Sequence, residues 1–332
     1  MRSREVQLVR RPPGVPTIED FRVAEVEVGE PGPGEVLVRN LFVSVDPYMR
    51  GRMRERKSYD PPYALGEAMT GGAVGRVVAS RAEGFAPGDH VLSRLGWREA
   101  FRCPAEQVSA LGLLSASPSA YLGILGMPGM TAYVGLLGAA ALKDGETVFV
   151  SGAAGAVGSA AGQIAKVKGC RVLGSAGGAE KVRYLEELGF DYAFDYRAGS
   201  IRDHLRQGAP AGLDVYFDNV GGDHLQAAIS SMRAFGRIAL CGSISMYNDT
   251  APTAGITNLP RMSGLGLNMR GFLTRHYDHM RDDFLRDMSA WLAAGKVSYR
   301  ETVYEGIESA PEAFIGLFTG ANVGKAVVRV GE

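Results

Sequence analysis

The residues best suited to chemistry are the small residues of Gly152–Gly158, which form a glycine-rich turn. Thr147–Val150, before the turn, is a β-branched and aromatic run typical of a buried strand, and a helical pattern with Ile164 and Val167 follows. A second buried strand, Arg171–Gly174, closes the unit. Backbone N–H groups at such a helix start bind a pyrophosphate, the helix dipole favours its charge, and a side chain there would block the approach. The stretch therefore predicts a dinucleotide-binding site.

The residues after the second strand indicate which dinucleotide binds. NAD sites place an Asp or Glu about 20 residues beyond the first glycines, and here that position falls on 174–178, which contains no acid. Lys181 lies just inside the next helix, and Tyr196 and Arg197 follow the third strand. Lys181 alone would be interpreted as an ordinary solvated helix residue. Together with the missing carboxylate it favours a 2′-phosphate, and hence NADPH.

Metal chemistry is not expected. The three cysteines, Cys103, Cys170 and Cys241, are far apart in sequence and form neither a zinc motif nor a disulfide framework. His276 and His279 share one predicted helical face, but no third ligand lies near them in sequence. The chemistry would then be done by the nicotinamide and by hydrogen bonds rather than by a Lewis acid.

Two kinds of secondary-structure pattern position these residues. Residues 1–120 contain alternating or β-branched runs separated by Pro and Gly, as in a β-rich domain. From about residue 126 strands alternate with helices, and six such strands make a complete doubly wound parallel sheet. One amphipathic helix is predicted over 277–294. The tail becomes β-like again at 302–304 and 325–330, so we expect the C-terminus to return to the first domain.

Composition excludes several classes of function. The 332 residues carry 36 Lys plus Arg and 36 Asp plus Glu, so no basic field is present to hold nucleic acid or an anionic membrane. No apolar stretch approaches the ~18 residues of a membrane span. The charged N-terminus lacks the apolar core of a signal peptide. We therefore expect a soluble, cytoplasmic protein with two domains.

Several sequence blocks are distinctive in combination. They are VDPYMRGRM (45–53), LGEAMTGGAVGRVV (65–78), GMPGMTAYVGLL (126–137), GQIAKVKGCRV (162–172), EKVRYLEELGFD (180–191), YFDNVGG (216–222), FGRIALCGSISMYN (235–248) and NVGK (322–325). Through these blocks, in this order and nearly from end to end, the chain resembles the zinc-independent medium-chain dehydrogenase/reductases. The resemblance is to the branch of leukotriene B4 12-hydroxydehydrogenase/prostaglandin reductases, alkenal double-bond reductases and curcumin reductases.

The resemblance implies an α/β protein with a GroES-like β-rich catalytic domain and a doubly wound Rossmann domain that binds NADP. The corresponding boundaries are 1–125, completed by 295–332, for the catalytic domain and 126–294 for the cofactor domain. It also implies a homodimer that uses NADPH to reduce carbon–carbon double bonds conjugated to a carbonyl. The expected partner is a small conjugated carbonyl compound, with no nucleic acid, membrane or metal.

Residues at matching positions are implied to bind the cofactor. They are Met127 and Thr131 at the nicotinamide, Gly155, Ala156, Val157 and Gly158 at the pyrophosphate, Lys181 and Tyr196 at the 2′-phosphate, and Asn219, Cys241, Gly242, Ser243, Ile244, Phe272, Leu273 and Asn322 elsewhere along the dinucleotide.

Two tyrosines are implied to lie near the substrate and are the candidate catalytic residues. Tyr247 follows the carboxyl end of a strand, where doubly wound sheets bind ligands, whereas Tyr48 is also consistent with a core aromatic. In the implied reaction a hydride goes to the β-carbon, negative charge develops on the carbonyl oxygen, and a hydrogen-bond donor there lowers the barrier. Protonation of the α-carbon by water or by tyrosine stays open, because a phenol of pKa ~10 is a poor acid at neutral pH.

Three points are left open by the sequence. The first is the function itself. Quinone reduction is an alternative to enone reduction because it uses the same cofactor, and a cofactor-binding protein without useful turnover is the alternative from outside the enzymes. The prostaglandin reductases carry a tyrosine that 249–268 lacks, which leaves eicosanoid specificity open but not the reaction class. The basic run Arg50–Lys57 is interpreted either as a solvated loop or as a clamp for an acidic substrate.

Overall fold

The computed structural model describes residues 1–56, 58–252 and 255–331, so Lys57 of the basic run lies outside it. The chain folds as two compact units. The first unit contains Met1–Leu122, Glu301–Asn322 and Ala326–Glu332, and the second unit contains Gly123–Arg300 and Val323–Lys325. No helix among the described residues has both the length and the apolar character that a membrane crossing requires.

The strands and helices have the following bounds. The strands are β1 (Arg2–Leu8), β2 (Phe21–Glu27), β3 (Glu35–Ser44), β4 (Ala73–Ser80), β5 (His90–Ser93), β6 (Ala100–Pro104), β7 (Val108–Ala110), β8 (Thr147–Val150), β9 (Arg171–Ala176), β10 (Tyr192–Asp195), β11 (Leu213–Asp218), β12 (Met232–Leu240), β13 (Asn268–Gly271), β14 (Glu301–Glu305) and β15 (Lys325–Arg329). The α-helices are α1 (Met49–Arg52), α2 (Met127–Tyr133), α3 (Ala156–Val167), α4 (Ala179–Glu187), α5 (Ile201–Gly208), α6 (Gly222–Ser231), α7 (Pro260–Leu265), α8 (Arg281–Ala293) and α9 (Ala310–Thr319). Further helical segments are Ile18–Asp20, Ala105–Gln107, Pro118–Leu122, Ile244–Met246, Thr274–Met280 and Ile307–Ser309, which are 3₁₀, and Val134–Ala139, which is π-helical.

The second unit is built on a parallel sheet. Its strands run in the order β10-β9-β8-β11-β12-β13, and each neighbouring pair is parallel. Chain order reverses beside β8, which is the doubly wound arrangement and confirms the predicted fold class. The run Val148–Val150 is completely buried, as expected for a strand of a sheet covered on both faces. β13 is the last strand and leaves one edge without a partner among the described residues.

Helix α3 packs very close to the sheet because two glycines make room for Phe190. A Cβ atom on Gly162, in α3, would lie 1.9 Å from the Phe190 ring, and one on Gly174, in β9, would lie 2.6 Å from it. Any side chain at either position would push the helix away from the strand. The two glycines therefore allow α3, which follows the glycine turn, to pack closely on the sheet.

The first unit is mainly antiparallel. β3 pairs with β4, β6 and β15, β4 pairs with β5, and β5 pairs with β7, all in antiparallel register. The C-terminal part of the chain supplies β14, α9 and all of β15 after Lys325. In the core the Trp97 ring lies 6.0 Å, between centroids, from both Phe21 and Phe314.

The single helix predicted over 277–294 is wrong at its start. A 3₁₀ segment covers Thr274–Met280 and breaks at Tyr277, which has φ −127° and ψ 27°, and α8 begins only at Arg281. Asp282 and Asp283 occupy the first turn of α8, where acidic side chains favour a helix start.

Candidate functional site

The glycine turn opens α3 and leaves the N-terminal N–H groups of this helix without a side-chain cap. Gly155 is the N-cap residue, and within the described part of the chain no side chain caps it. Gly152 has φ +58°, a left-handed conformation that favours glycine. A Cβ on Gly158 would lie 2.4 Å from the Gly152 carbonyl oxygen, so only glycine permits this packing. The predicted pyrophosphate residues, including the partly exposed Ala156 and Val157, thus lie at an open, positively polarised helix end.

Two cations lie beyond the acid-free end of β9. The guanidinium carbon of Arg197 is 3.1 Å from the position that a Cβ on Gly177 would take, so it covers that glycine. Lys181, on α4, is half-buried. Burial, with the nearby Arg197 charge, lowers the pKa of its ammonium from the ordinary 10.5. Two neighbouring cations repel each other, and an anion bound between them relieves that repulsion. This arrangement fits a 2′-phosphate.

Two buried polar groups beside this cation pair were missed by the sequence analysis. His224, on α6, is 5% exposed, and its Nε2 has no hydrogen-bond partner within the described residues. Its ring centroid is 5.2 Å from that of Tyr196, which meets it edge-on. Burial lowers the pKa of His224 to about 4, so the ring is neutral at neutral pH. The Ser175 hydroxyl, near the end of β9, is likewise buried without a partner in the described part of the chain.

A buried carboxyl, Asp218, ties together the ends of three neighbouring strands. Its Oδ1 accepts four hydrogen bonds, from the hydroxyls of Tyr216 (2.6 Å) and Ser151 (3.2 Å) and from the N–H groups of Val220 (2.9 Å) and Gly221 (2.8 Å). Its backbone carbonyl accepts the N–H groups of Cys241 (2.9 Å) and Gly242 (3.0 Å). Burial raises the pKa of Asp218, and burial with this carboxyl raises the pKa of the Cys241 thiol to about 12.

The loop after β11 is bonded to the loop after β12. The side-chain amide of Asn219 donates to the Ser151 carbonyl oxygen at 2.8 Å. The Asn219 carbonyl oxygen accepts the N–H of Ile244 at 3.2 Å. Ser245 donates to the Val220 carbonyl oxygen through both its N–H (3.2 Å) and its hydroxyl (2.6 Å). The structure thereby brings Asn219 together with the predicted cofactor residues of the second loop.

Tyr247 lies over that second loop. It directly follows the 3₁₀ segment Ile244–Met246, and its hydroxyl accepts the N–H of Ser243 at 3.4 Å. The same hydroxyl oxygen is 3.0 Å from the position that a Cβ on Gly242 would take. A bulkier residue at Gly242 would displace the phenol, so the glycine and the tyrosine belong to one arrangement.

The remaining predicted residues of the second unit lie on α2 and beyond β13. The Thr131 hydroxyl donates to the Met127 carbonyl oxygen at 2.7 Å, and Met127 is 44% exposed at the start of α2. Phe272 is buried, and its ring meets Phe217 edge-on at 6.2 Å between centroids. Leu273 is partly exposed at the start of the following 3₁₀ segment.

Tyr48 and Asn322 belong to the first unit and not to the second. Tyr48 precedes α1 and packs, half-buried, against the core that contains Trp97 and Phe314. Burial, with the nearby Asp46 carboxylate, raises the pKa of its phenol. The side chain therefore combines features of a core aromatic with a hydroxyl in a charged environment.

Both interpretations of the basic run Arg50–Lys57 are wrong for its first member, Arg50. Arg50 is completely buried, and its guanidinium donates to two backbone carbonyl oxygens of residues 12 and 14, at 3.0 and 2.8 Å. The guanidinium of Arg52 lies 4.0 Å from the centre of the Tyr63 ring. These arginines hold loops of the first unit together, because a long side chain can satisfy its donors far from its own backbone.

The arrangement in the second unit fits NADP. The open helix end suits a pyrophosphate, and the cation pair suits a 2′-phosphate. No group of three or more His, Cys, Asp and Glu residues that could hold a metal ion occurs in residues 1–56, 58–252 and 255–331.

The chain is similar to known oxidoreductases over its whole length. The family described as the N-terminal domain of oxidoreductase matches residues 4–111, and the family described as zinc-binding dehydrogenase matches residues 156–293. The chain is 44% identical to the NADPH-dependent curcumin reductase of Escherichia coli (strain K12), covering 99% of this chain and 97% of that one. It is 42% identical to a 2-alkenal reductase (NADP(+)-dependent) of Nicotiana tabacum, again over 99% and 97%. The solved structure of CurA from Vibrio vulnificus in complex with NADPH is 42% identical, covers 99% of each chain and superposes with a TM-score of 0.95.

Proposed function

The chain belongs to the zinc-independent medium-chain dehydrogenase/reductases, and we propose that it reduces the carbon–carbon double bond of α,β-unsaturated ketones and aldehydes with NADPH. The observation that carries the proposal is the edge of the parallel sheet. There the glycine turn, the Lys181–Arg197 pair and the two bonded loops after β11 and β12 all lie at carboxyl ends of strands. Doubly wound sheets bind dinucleotides at this edge.

The chain's own residues hold the cofactor. The N–H groups that open α3 bind the pyrophosphate, and Lys181 and Tyr196 bind the 2′-phosphate. Asn219 and the Cys241–Ile244 segment hold the remainder of the dinucleotide, and Met127 and Thr131 face the nicotinamide. When bound, NADPH supplies the hydride that the double bond receives at its β-carbon.

Tyr247 is the proposed donor to the substrate carbonyl oxygen. Its phenol lies on the loop that carries Cys241–Ile244, which puts a hydroxyl group beside the proposed cofactor residues. A donor aimed at that oxygen stabilises the negative charge that develops there as the β-carbon is reduced. The α-carbon then takes a proton from water or from a tyrosine. Tyr48, in the first unit, is the second proposed substrate-facing phenol.

We also propose a domain assignment, an assembly and a location. The first unit is the catalytic domain and the second the cofactor domain, near the boundaries 1–125 with 295–332, and 126–294. The open edge of β13 suits pairing with the same strand of a second copy, which supports a homodimer. A cytoplasmic location is supported by Cys103, Cys170 and Cys241, which are all free, as in a reducing compartment.

The test is product analysis with NADPH deuterated at the transferred position of the nicotinamide. The purified protein is offered 2-alkenals, aryl enones and quinones, with the saturated analogue of each carbonyl as the matched control. We expect NADPH oxidation with the conjugated compounds only, and deuterium at the β-carbon of a saturated ketone or aldehyde. Turnover of quinones alone would replace the proposal by quinone reduction. No oxidation with any member of the panel would refute the enzyme assignment.

A further inference from the structure

A short segment from near the end of the chain contacts the glycine turn directly. Residues Val323–Lys325 belong to the second unit, although the chain on either side of them belongs to the first. Gly324 forms a parallel β-bridge with Gly155. Its N–H donates to the Ala154 carbonyl oxygen at 2.8 Å. We call Val323–Lys325 the strap.

The strap is itself anchored to helix α3. The N–H of Lys325 donates to the Arg300 carbonyl oxygen at 3.0 Å. Two residues earlier, Ser298 exchanges two hydrogen bonds with the side-chain amide of Gln163, at 2.8 and 2.9 Å. Gln163 lies in α3, the helix that the glycine turn opens. A continuous chain of hydrogen bonds thus runs from α3 through 298–300 and the strap back to the turn before α3.

Only glycine can occupy position 324. Its φ of +70° is in the left-handed region, and a Cβ there would lie 1.9 Å from the Arg300 carbonyl oxygen. That neighbour is backbone, so no side-chain rotation relieves the clash. An alanine at 324 must therefore move the strap away from Arg300, and the bond to Ala154 with it.

The bond to Ala154 controls the peptide immediately before the start of α3. The Ala154–Gly155 peptide plane is held on both sides, by the strap at the Ala154 carbonyl oxygen and by the Gly155 N–H, which donates to the Gly152 carbonyl oxygen at 3.1 Å. Rotation of an unrestrained peptide there would present the carbonyl oxygen to an anion and repel it. It would also disturb the N-cap residue Gly155 and the direction of the first N–H groups of α3.

We propose that the strap holds the glycine turn in its anion-binding conformation, and that Gly324 is a positioning residue for the pyrophosphate of the dinucleotide. The proposal rests on the proposed NADPH site at the start of α3. It extends that site to a segment about 170 residues further along the chain, whose role is to orient donors rather than to supply them.

The first test is Gly324→Ala, with binding of NADPH and of NADH measured by nicotinamide fluorescence. Both ligands share the pyrophosphate, so both dissociation constants should rise by roughly tenfold or more while their ratio stays unchanged. The matched control is Gly145→Ala, at φ +78° in the same unit, where a Cβ meets nothing within 4 Å. This control carries the same backbone strain and should leave both affinities unchanged.

The second measurement uses the unaltered protein, so it stands even when Gly324→Ala fails to fold. Hydrogen exchange of the Gly324 amide should slow when NADP⁺ is bound but not when 2′-AMP, which lacks the pyrophosphate, saturates the protein. The proposed role of the strap would be overturned if Gly324→Ala bound both nucleotides as tightly as wild type. It would also be overturned if the Gly324 amide exchanged at the same rate with NADP⁺ and with 2′-AMP bound. Absence of NADPH binding by the wild type would instead refute the proposed function.

Discussion

Removing the Lys181 ammonium should abolish most of the preference for NADPH over NADH. Lys181 is half-buried beside Arg197, at a strand end that carries no acid. A hydrogen bond to a charged partner is worth about 1.5–3 kcal/mol, so Lys181→Ala should weaken NADPH binding roughly 10- to 150-fold. NADH has no 2′-phosphate and loses no such bond, so its affinity should change less than about twofold.

Arg197 should contribute less than Lys181. Its side chain is exposed at the surface, and exposed ion pairs are worth up to about 1 kcal/mol, so Arg197→Ala should weaken NADPH binding by no more than about fivefold. Added salt should reduce this contribution further, because solvent-exposed charges are screened.

The pH dependence of binding follows from the lowered pKa of Lys181. Burial and the Arg197 charge disfavour the ammonium in the free protein, so it deprotonates below the ordinary 10.5. A bound 2′-phosphate favours the charged form. NADPH affinity should therefore be highest below the lowered pKa and fall as pH rises through it, whereas NADH affinity stays level.

The assay is a fluorescence titration of both reduced nucleotides across pH and salt. Arg183→Ala is the matched control, because it removes an exposed cation from the same helix, two residues away and so on another face. The reasoning is refuted when Lys181→Ala binds NADPH within twofold of wild type, or loses affinity for NADH to the same extent.

Three further predictions concern the hydroxyl, the buried imidazole and the sheet edge. Tyr247→Phe keeps the ring and removes the proposed donor. NADPH affinity should therefore stay level, while kcat/KM for an enone should fall roughly ten- to a thousandfold. A fall of less than about threefold would exclude Tyr247 from the mechanism. His224 has a pKa of about 4 in the fold, below its ordinary 6.5, so its contribution to stability is complete above pH 6.5 and is lost as pH falls towards 4. The free energy of unfolding, measured with urea, should fall between pH 7 and pH 4.5 by about 2–3 kcal/mol less for His224→Phe than for wild type. An equal fall in both proteins would contradict the effect assigned to the burial of His224. Light scattering at micromolar concentration should return a dimer, and a monomer would contradict pairing through β13.

The parallel sheet and its glycine turn could be predicted because their signals are local. Buried strands such as Thr147–Val150 are continuous apolar runs, and small residues must follow where a helix end approaches an anion. The acid-free stretch 174–178 and Lys181 were likewise recognisable by counting along the chain. The missed kink at Tyr277 was signalled only weakly, by two aspartates that suit a helix start.

The features that could not be predicted depend on contacts between distant residues. Nothing near Arg50 indicates that its guanidinium reaches the carbonyl oxygens of residues 12 and 14 instead of water. Among the four donors on Asp218, the Ser151 hydroxyl is the distant one, and it reaches the carboxyl because β8 lies beside β11, which sequence order does not specify. The strap contact between Gly324 and Gly155 has the same origin. Periodicity reports which side of a strand is buried, but not which strand lies next to it.

The surroundings of the three thiols have a consequence for the lifetime of the protein. Conjugated carbonyls alkylate sulfur, and the reactive form is the thiolate. Cys103 and Cys170 are 3% and 2% exposed. Burial raises the pKa of the Cys103 thiol to about 11 and also raises that of Cys170, and Cys241, with a pKa of about 12, stands on the proposed cofactor loop itself. Each of these shifts disfavours the thiolate, so the reductase that we propose would be alkylated less readily by its own conjugated substrates.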